Sequence, residues 1–103
     1  MADGFYSIIK GDKPVLVDFS AEWCGPCRMM APVLEQLKNR MGSNIRILKI
    51  DVDRNNELAS RMNIRNVPTL MLFQEGERKW TGSGVMTSDF IEKVVRDNCR
   101  INI

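Results

Sequence analysis

Two cysteines three residues apart, Cys24 and Cys27, sit in the stretch Trp23-Cys24-Gly25-Pro26-Cys27. The stretch follows the apolar run Val15-Leu16-Val17-Asp18-Phe19 and opens an apolar pattern of helical period. That order predicts a strand-to-helix turn with the cysteines on it. At a helix N-terminus the unpaired backbone N–H groups and the positive end of the macrodipole favour an anion, so Cys24 should ionise more easily than a free thiol. Cys27 lies one helical turn further in, shielded and close enough to close a disulfide onto Cys24. A thiolate that attacks a client disulfide, next to a second thiol that resolves the product, performs two-electron exchange.

Composition narrows the alternatives. The chain has 103 residues, 44% hydrophobic and 27% charged, which suits one globular domain, residues 1–103, with a single core. Its net charge of +2 comes from Lys and Arg scattered among Asp and Glu, without a basic face to hold nucleic acid or anionic lipid. No apolar run reaches membrane-spanning length, and Met1-Ala2-Asp3-Gly4 lacks the features of a secretory leader, so neither nucleic acid nor membrane is an expected partner and a cytoplasmic protein is expected. Three cysteines are too few and too unevenly placed for a disulfide framework. The absence of histidine removes Cys-His catalysis and every His-ligated metal site.

Along the chain, Asp3 can cap a short helix reaching about Ile9, with Phe5, Ile8 and Ile9 on one face, and Gly11-Asp12 ends it. Val15 to Phe19 reads as a central strand buried on both faces, with Asp18 as its anomaly. Asp18 either reaches water or backbone at the strand end, or is buried for a purpose. Burial would raise its pKa and make it a proton acceptor for Cys27 through water. From Cys24 to about Met41, Met30, Val33, Leu34, Leu37 and Met41 follow helical spacing, and Pro32 predicts a kink. Met29, Met30 and Met41 are assigned to core packing in preference to a flexible binding stripe.

Gly42-Ser43-Asn44 closes that helix, and the isoleucine-rich segment from Ile45 to Val52 is expected as a strand parallel to the first. Asn55 or Asn56 can cap a short helix carrying Leu58, Ala59 and Met62. Val67-Pro68-Thr69 leads into a strand from Leu70, and Glu75-Gly76-Glu77 turns it into an antiparallel hairpin with Arg78 to Thr81. Trp80 is read as packing, and Gly82-Ser83-Gly84 as a flexible corner. The last helix starts at a Thr87 or Ser88 cap and runs to about Asn98, with Phe90, Ile91, Val94 and Val95 facing the sheet. Cys99 reads as a small apolar residue.

The segment Val17-Asp18-Phe19-Ser20-Ala21-Glu22-Trp23-Cys24-Gly25-Pro26-Cys27, together with Ala31-Pro32, Asp51-Val52-Asp53, Val67-Pro68-Thr69-Leu70, Gly76, Gly82 and Gly84, resembles the thioredoxin family. The resemblance implies the thioredoxin fold, a three-layer α/β/α arrangement around a mixed sheet. Thioredoxins begin with an extra strand, and only fourteen residues precede Val15, so a four-stranded sheet with an exposed edge is expected. It also implies catalytic roles for Cys24 and Cys27, with Asp18 as the buried aspartate. Lys49 takes the place of a lysine near that aspartate, although a solvated strand lysine is the alternative. Ser20 stands where many bacterial members carry tryptophan.

The family pattern further makes Val67-Pro68 a cis bond against the sulfurs. Gly84 becomes a point of close approach for a client backbone, with a plain turn as the alternative. Trp23, Gly25, Pro26, Val67, Pro68 and Gly84 would form the substrate-docking surface, with the Val67 backbone free to pair with an extended client. Gly25-Pro26 places no histidine between the sulfurs, which favours reduction over oxidation or isomerisation. The expected function is that of a monomeric protein-disulfide reductase with no bound cofactor and no metal, recharged with NADPH electrons by a thioredoxin reductase. Two other classes are weaker: a metal module, which lacks a second cysteine pair, and a scaffold whose dithiol is incidental.

Overall fold

The structure is a computed structural model that describes residues 2–101, with side chains from residue 4. In chain order the elements are α1 (Ala2–Ile9), β1 (Val15–Ser20), α2 (Gly25–Met41), a short 3-10 turn (Gly42–Asn44) and β2 (Arg46–Asp51), followed by α3 (Asn56–Arg61), β3 (Thr69–Gln74), β4 (Glu77–Ser83) and α4 (Ser88–Asn98). The strands form one sheet in the order β2-β1-β3-β4. β1 pairs parallel with β2 and antiparallel with β3, and β4 completes the hairpin. Among the described residues there is no further strand, and β2 forms one edge of the four-stranded sheet.

Side-chain alternation along the strands separates two cores. On one face, Leu16, Leu70 and Leu72 pack against Met30, Leu34, Leu37 and Met41 of α2 and Ile91, Val94 and Val95 of α4. On the other, Val15, Val17, Phe19, Met71 and Phe73 pack against Phe5 and Ile9 of α1 and Leu58 of α3. Phe5 anchors α1 to this face, meeting Phe73 edge-on with ring centroids 5.7 Å apart and Phe19 at 6.4 Å. Helices therefore cover both faces of a sheet whose strands β1 and β3 are buried along their whole length.

The turn between β3 and β4 has positive φ at Glu75 (56°) and Gly76 (82°), the geometry that matches the twist of a tight hairpin. Its two N–H groups donate to the carbonyls of Gly11 and Ile9 at 2.8 Å, which ties the hairpin tip to the end of α1. Gln74, buried at the end of β3, donates through Nε2 to the Asp12 and Arg100 carbonyls and accepts from the Arg100 N–H. One side chain thus joins the loop after α1 to the segment after α4.

Five local expectations change. The first helix begins at Ala2, so Asp3 lies within it and not at its cap, and the Asp3 side chain lies outside the described residues. Met30 and Met41 are core residues, but Met29 is 60% exposed because its position on α2 falls outside the buried stripe. Phe90 is 48% exposed and does not face the sheet, whereas Ile91, Val94 and Val95 do. β4 continues through Gly82 and Ser83, leaving only Gly84 (φ 92°) as the corner. Asn55 occupies the cap position of α3 without a capping bond, its side-chain amide donating instead to the Asp51 carbonyl.

Candidate active site

The C-terminal end of β1 delivers the chain directly into α2, and the cysteines fall where that junction puts them. Cys24 is the N-cap of α2 in extended conformation, and its Sγ accepts the Cys27 N–H at 3.1 Å. A sulfur in this position receives one of the backbone donors that the first helical turn leaves unpaired, which stabilises negative charge on it. Pro26 sits in that first turn, where its missing N–H costs nothing. Cys24 and Cys27 are joined as a disulfide with Cα atoms 5.3 Å apart. Both cysteines are buried in a small cluster with Ala21, flanked by Val52 and Val67.

Val67-Pro68 is cis, as expected, and the Val67 carbonyl oxygen lies 3.7 Å from Cys24 Sγ. The Gly84 N–H donates to the Pro68 carbonyl at 2.9 Å, which brings the end of β4 beside the cis bond. Gly84 has the left-handed backbone that favours glycine, and a Cβ there would meet nothing within 4 Å. Its surroundings are therefore open surface beside the cis bond. Gly25 is likewise open, with nothing within 4 Å of a built Cβ. Trp23 is 69% exposed, and its indole Nε1 donates to the Asp53 carboxylate at 2.8 Å.

Asp18 lies on the α2 face of β1, two residues before Ser20 and in register with Lys49 on β2. It is 1% exposed, and its Oδ1 makes no hydrogen bond. Burial pushes its pKa from 3.8 up to about 6, opposed by the positive charge of Lys49. Lys49 is not within ion-pair distance of a carboxylate among the described residues, so it acts on Asp18 through space. An open cleft of about 560 Å³ is lined by Ser20, Glu22, Cys27, Arg28, Lys49 and Asp51. It adjoins Cys27 and the strand pair that carries Asp18, and neither Val67 nor Gly84 lines it.

The sequence-derived site residues thus divide into three groups. Cys24, Cys27, Val67 and Pro68 meet at the helix turn. Asp18 and Lys49 lie behind it on paired strands, and Trp23, Gly25, Pro26 and Gly84 are arranged around its rim. Two contributors had no role assigned from sequence. Asp53 orients the Trp23 indole, and its only signal is its place in Asp51-Val52-Asp53. Arg28 donates to the Glu22 carbonyl at 2.8 Å, while Glu22 also pairs with Arg54, so the segment before Cys24 is braced from two sides. Cys99 is half-buried and free, with its thiol pKa pushed up by burial. Among the described residues no three His, Cys, Asp or Glu side chains converge as a metal site.

Comparison with known proteins agrees with this geometry. Residues 1–97 match the sequence model of the thioredoxin family. A thioredoxin of Rickettsia bellii is 42% identical over 91 residues, covering 88% of this chain and 87% of the relative. A thioredoxin of Bacillus subtilis is 41% identical over 93 residues, covering 90% and 89%. Among solved structures, a single-site mutant of a thioredoxin from Halobacterium salinarum superimposes with a TM-score of 0.84 at 35% identity, covering 96% of this chain and 86% of that one. Mitochondrial thioredoxin 3 of Saccharomyces cerevisiae, in its oxidised form, gives a TM-score of 0.84 at 31% identity, covering 93% and 89%. With its paired cysteines at the strand-to-helix turn, the chain belongs to the thioredoxin family of thiol–disulfide oxidoreductases.

Proposed function

We propose that this protein reduces disulfides in client proteins and is recharged by a thioredoxin reductase drawing electrons from NADPH, with no cofactor bound to the chain itself. The observation that carries this reading is the Cys24 sulfur at the start of α2, accepting the Cys27 N–H. A reduced Cys24 there is a stabilised thiolate, and a stabilised thiolate favours the dithiol over the disulfide. The Cys24 thiolate attacks one sulfur of the client disulfide, forming a Cys24–client bond and releasing the other client sulfur as a thiolate that takes up a proton. Cys27 then loses its proton to Asp18 through water in the adjoining cleft and attacks the Cys24 sulfur. This step releases the second client thiol and closes the Cys24–Cys27 disulfide, so two electrons pass to the client.

Asp18 suits the proton-accepting role because a carboxylate with a pKa of about 6 is mostly ionised near neutrality, yet binds a proton more readily than an ordinary aspartate. Lys49 keeps that pKa from rising further. The client lies across Trp23, Gly25, Pro26, Val67, Pro68 and Gly84, with the Val67 backbone pairing with its extended segment. We assign the protein to the cytoplasm as a monomer. The test is NADPH-coupled reduction of insulin with a thioredoxin reductase. The wild type should turn over, Cys24→Ser should not, and Cys27→Ser should accumulate mixed disulfides. Full turnover by either serine variant would refute the assignment of the two sulfurs.

A further inference from the structure

The cleft beside Cys27 stops short of Asp18. Cys27, Ser20 and Lys49 line it, whereas Asp18 does not, and Asp18 Oδ1 is sealed from solvent without a hydrogen bond. Ser20 joins the two. It follows Asp18 by two residues on β1, so both side chains leave the strand on the face that α2 covers. The Val52 N–H donates to the Ser20 carbonyl at 2.9 Å, which fixes the serine backbone at the end of the strand. Ser20 is 3% exposed. Its hydroxyl has no hydrogen-bond partner among the described residues, yet Asp18 Oδ1 is the one unpartnered side-chain atom among them that solvent does not reach, so the hydroxyl opens into the cleft. Of the other polar side chains around the cleft, Glu22, Arg28 and Lys49 are exposed and Asp51 is half-buried. Ser20 is thus the hydroxyl at the buried end, with Cys27.

We infer that Ser20 is a positioning residue for the resolving step, its hydroxyl holding the water that carries the Cys27 proton to Asp18. The inference rests on the reading of this protein as a reductase of client disulfides. Two residues of strand span about 7 Å, a distance that the Asp18 and Ser20 side chains and one water fill. The donors and acceptors match. The Ser20 hydroxyl donates to one lone pair of the water oxygen and the Cys27 thiol to the other, while the ionised Asp18 carboxylate, an acceptor only, takes a hydrogen of the water. The water receives the Cys27 proton as it passes its own to Asp18, so it carries no charge afterwards. The electron pair left on Cys27 forms the bond to the Cys24 sulfur, and the client sulfur departs with the pair of the bond that breaks. Without the hydroxyl, the water loses the contact that holds it between thiol and carboxylate, and the step slows although both reacting groups remain.

The experiment mixes the reduced full chain with an excess of the symmetric disulfide of nitrothiobenzoate in a stopped-flow instrument near neutral pH. All proteins carry Cys99→Ser, which removes the third thiol. Attack by Cys24 releases one chromophore at a rate proportional to the reagent, and attack by Cys27 on the Cys24 sulfur releases a second at a rate independent of it. Nitrothiobenzoate leaves as an ionised thiolate, so the second phase reads the loss of the Cys27 proton. Ser20→Ala should slow that phase by about tenfold and leave the first within about twofold. In Asp18→Asn, which has no carboxylate for the water to serve, adding Ser20→Ala should change the second phase by less than about twofold. A role in packing alone would act equally in both backgrounds. A second phase within about twofold in the parent and in Ser20→Ala, or too fast in both to separate from the first, would overturn the inference, as would a tenfold loss that persists in Asp18→Asn. Two releases without dependence on Ser20 reject only its positioning role, and failure of the parent to give the second release rejects the reductase reading with it.

Discussion

Replacing Asp18 with asparagine tests the electrostatics of the site by stability alone. The wild-type carboxyl has a folded-state pKa of about 6 against an ordinary 3.8, because burial disfavours its charged form. Between these values the folded state holds a proton that the unfolded state has released, so stability falls as pH rises. The contribution is fully present below the unfolded pKa, lost as pH rises through the folded pKa, and constant above it. One pKa unit corresponds to about 1.4 kcal/mol, so the gap from 3.8 to about 6 amounts to about 3 kcal/mol over the whole titration. Asparagine has nearly the same shape and never ionises. The stability of Asp18→Asn relative to wild type should therefore rise by about 2 to 3 kcal/mol between about pH 4 and pH 7.5, which spans most of that titration. Titrations of other groups cancel in that difference. Urea unfolding of both oxidised proteins across this range measures it, with the relative midpoints moving by about 1 to 3 M. A difference between the two proteins that stays constant with pH would refute the raised pKa.

Three further outcomes follow from the packing. Gln74→Leu leaves the Asp12 and Arg100 carbonyls and the Arg100 N–H without their partner. It should cost about 2 to 4 kcal/mol in urea unfolding, and a loss under about 0.5 kcal/mol would show that water replaces the side chain. Gly82→Ala forces the Trp80 ring away from the strand and should cost about 1 to 3 kcal/mol while altering the near-ultraviolet circular dichroism of the indole. An unchanged spectrum would mean that the ring does not rest there. Thr87→Ala removes the side-chain cap that accepts the Phe90 N–H at 3.1 Å, and thermal unfolding should register a loss of about 1 kcal/mol.

Local pattern made much of the fold legible. The uninterrupted apolar run of β1, the spacing of Met30, Leu34, Leu37 and Met41, and the turn at Glu75-Gly76 each report on neighbours within a few residues. The parallel pairing of β2 with β1 followed from the long helix that connects them. The exposure of Phe90 was not legible, because helical period ranks its position close to those of Ile91 and Val94. Its environment depends on where α4 crosses β4 and on the bulk of Trp80. Gly82 read as a corner for the same reason. Its lack of a side chain is explained by the ring above it and not by its backbone angles.

For the active site the division is similar. The sequence by itself determined the order of sulfur, turn and helix, because Cys24-Gly25-Pro26-Cys27 places one thiol at a helix start and the other one turn inside. Geometry within a single turn depends on covalent spacing and backbone donors, both written into neighbouring residues. Only the tertiary structure decided that Val67 lies beside Cys24 with Gly84 next to it, both distant in the chain, and that Asp53 holds the Trp23 indole. It also decided the raised pKa of Asp18, since desolvation depends on α2 covering the sheet and on Lys49 lying across from it in register. Burial and long-range charge are properties of the packed sheet, and no window of sequence contains them.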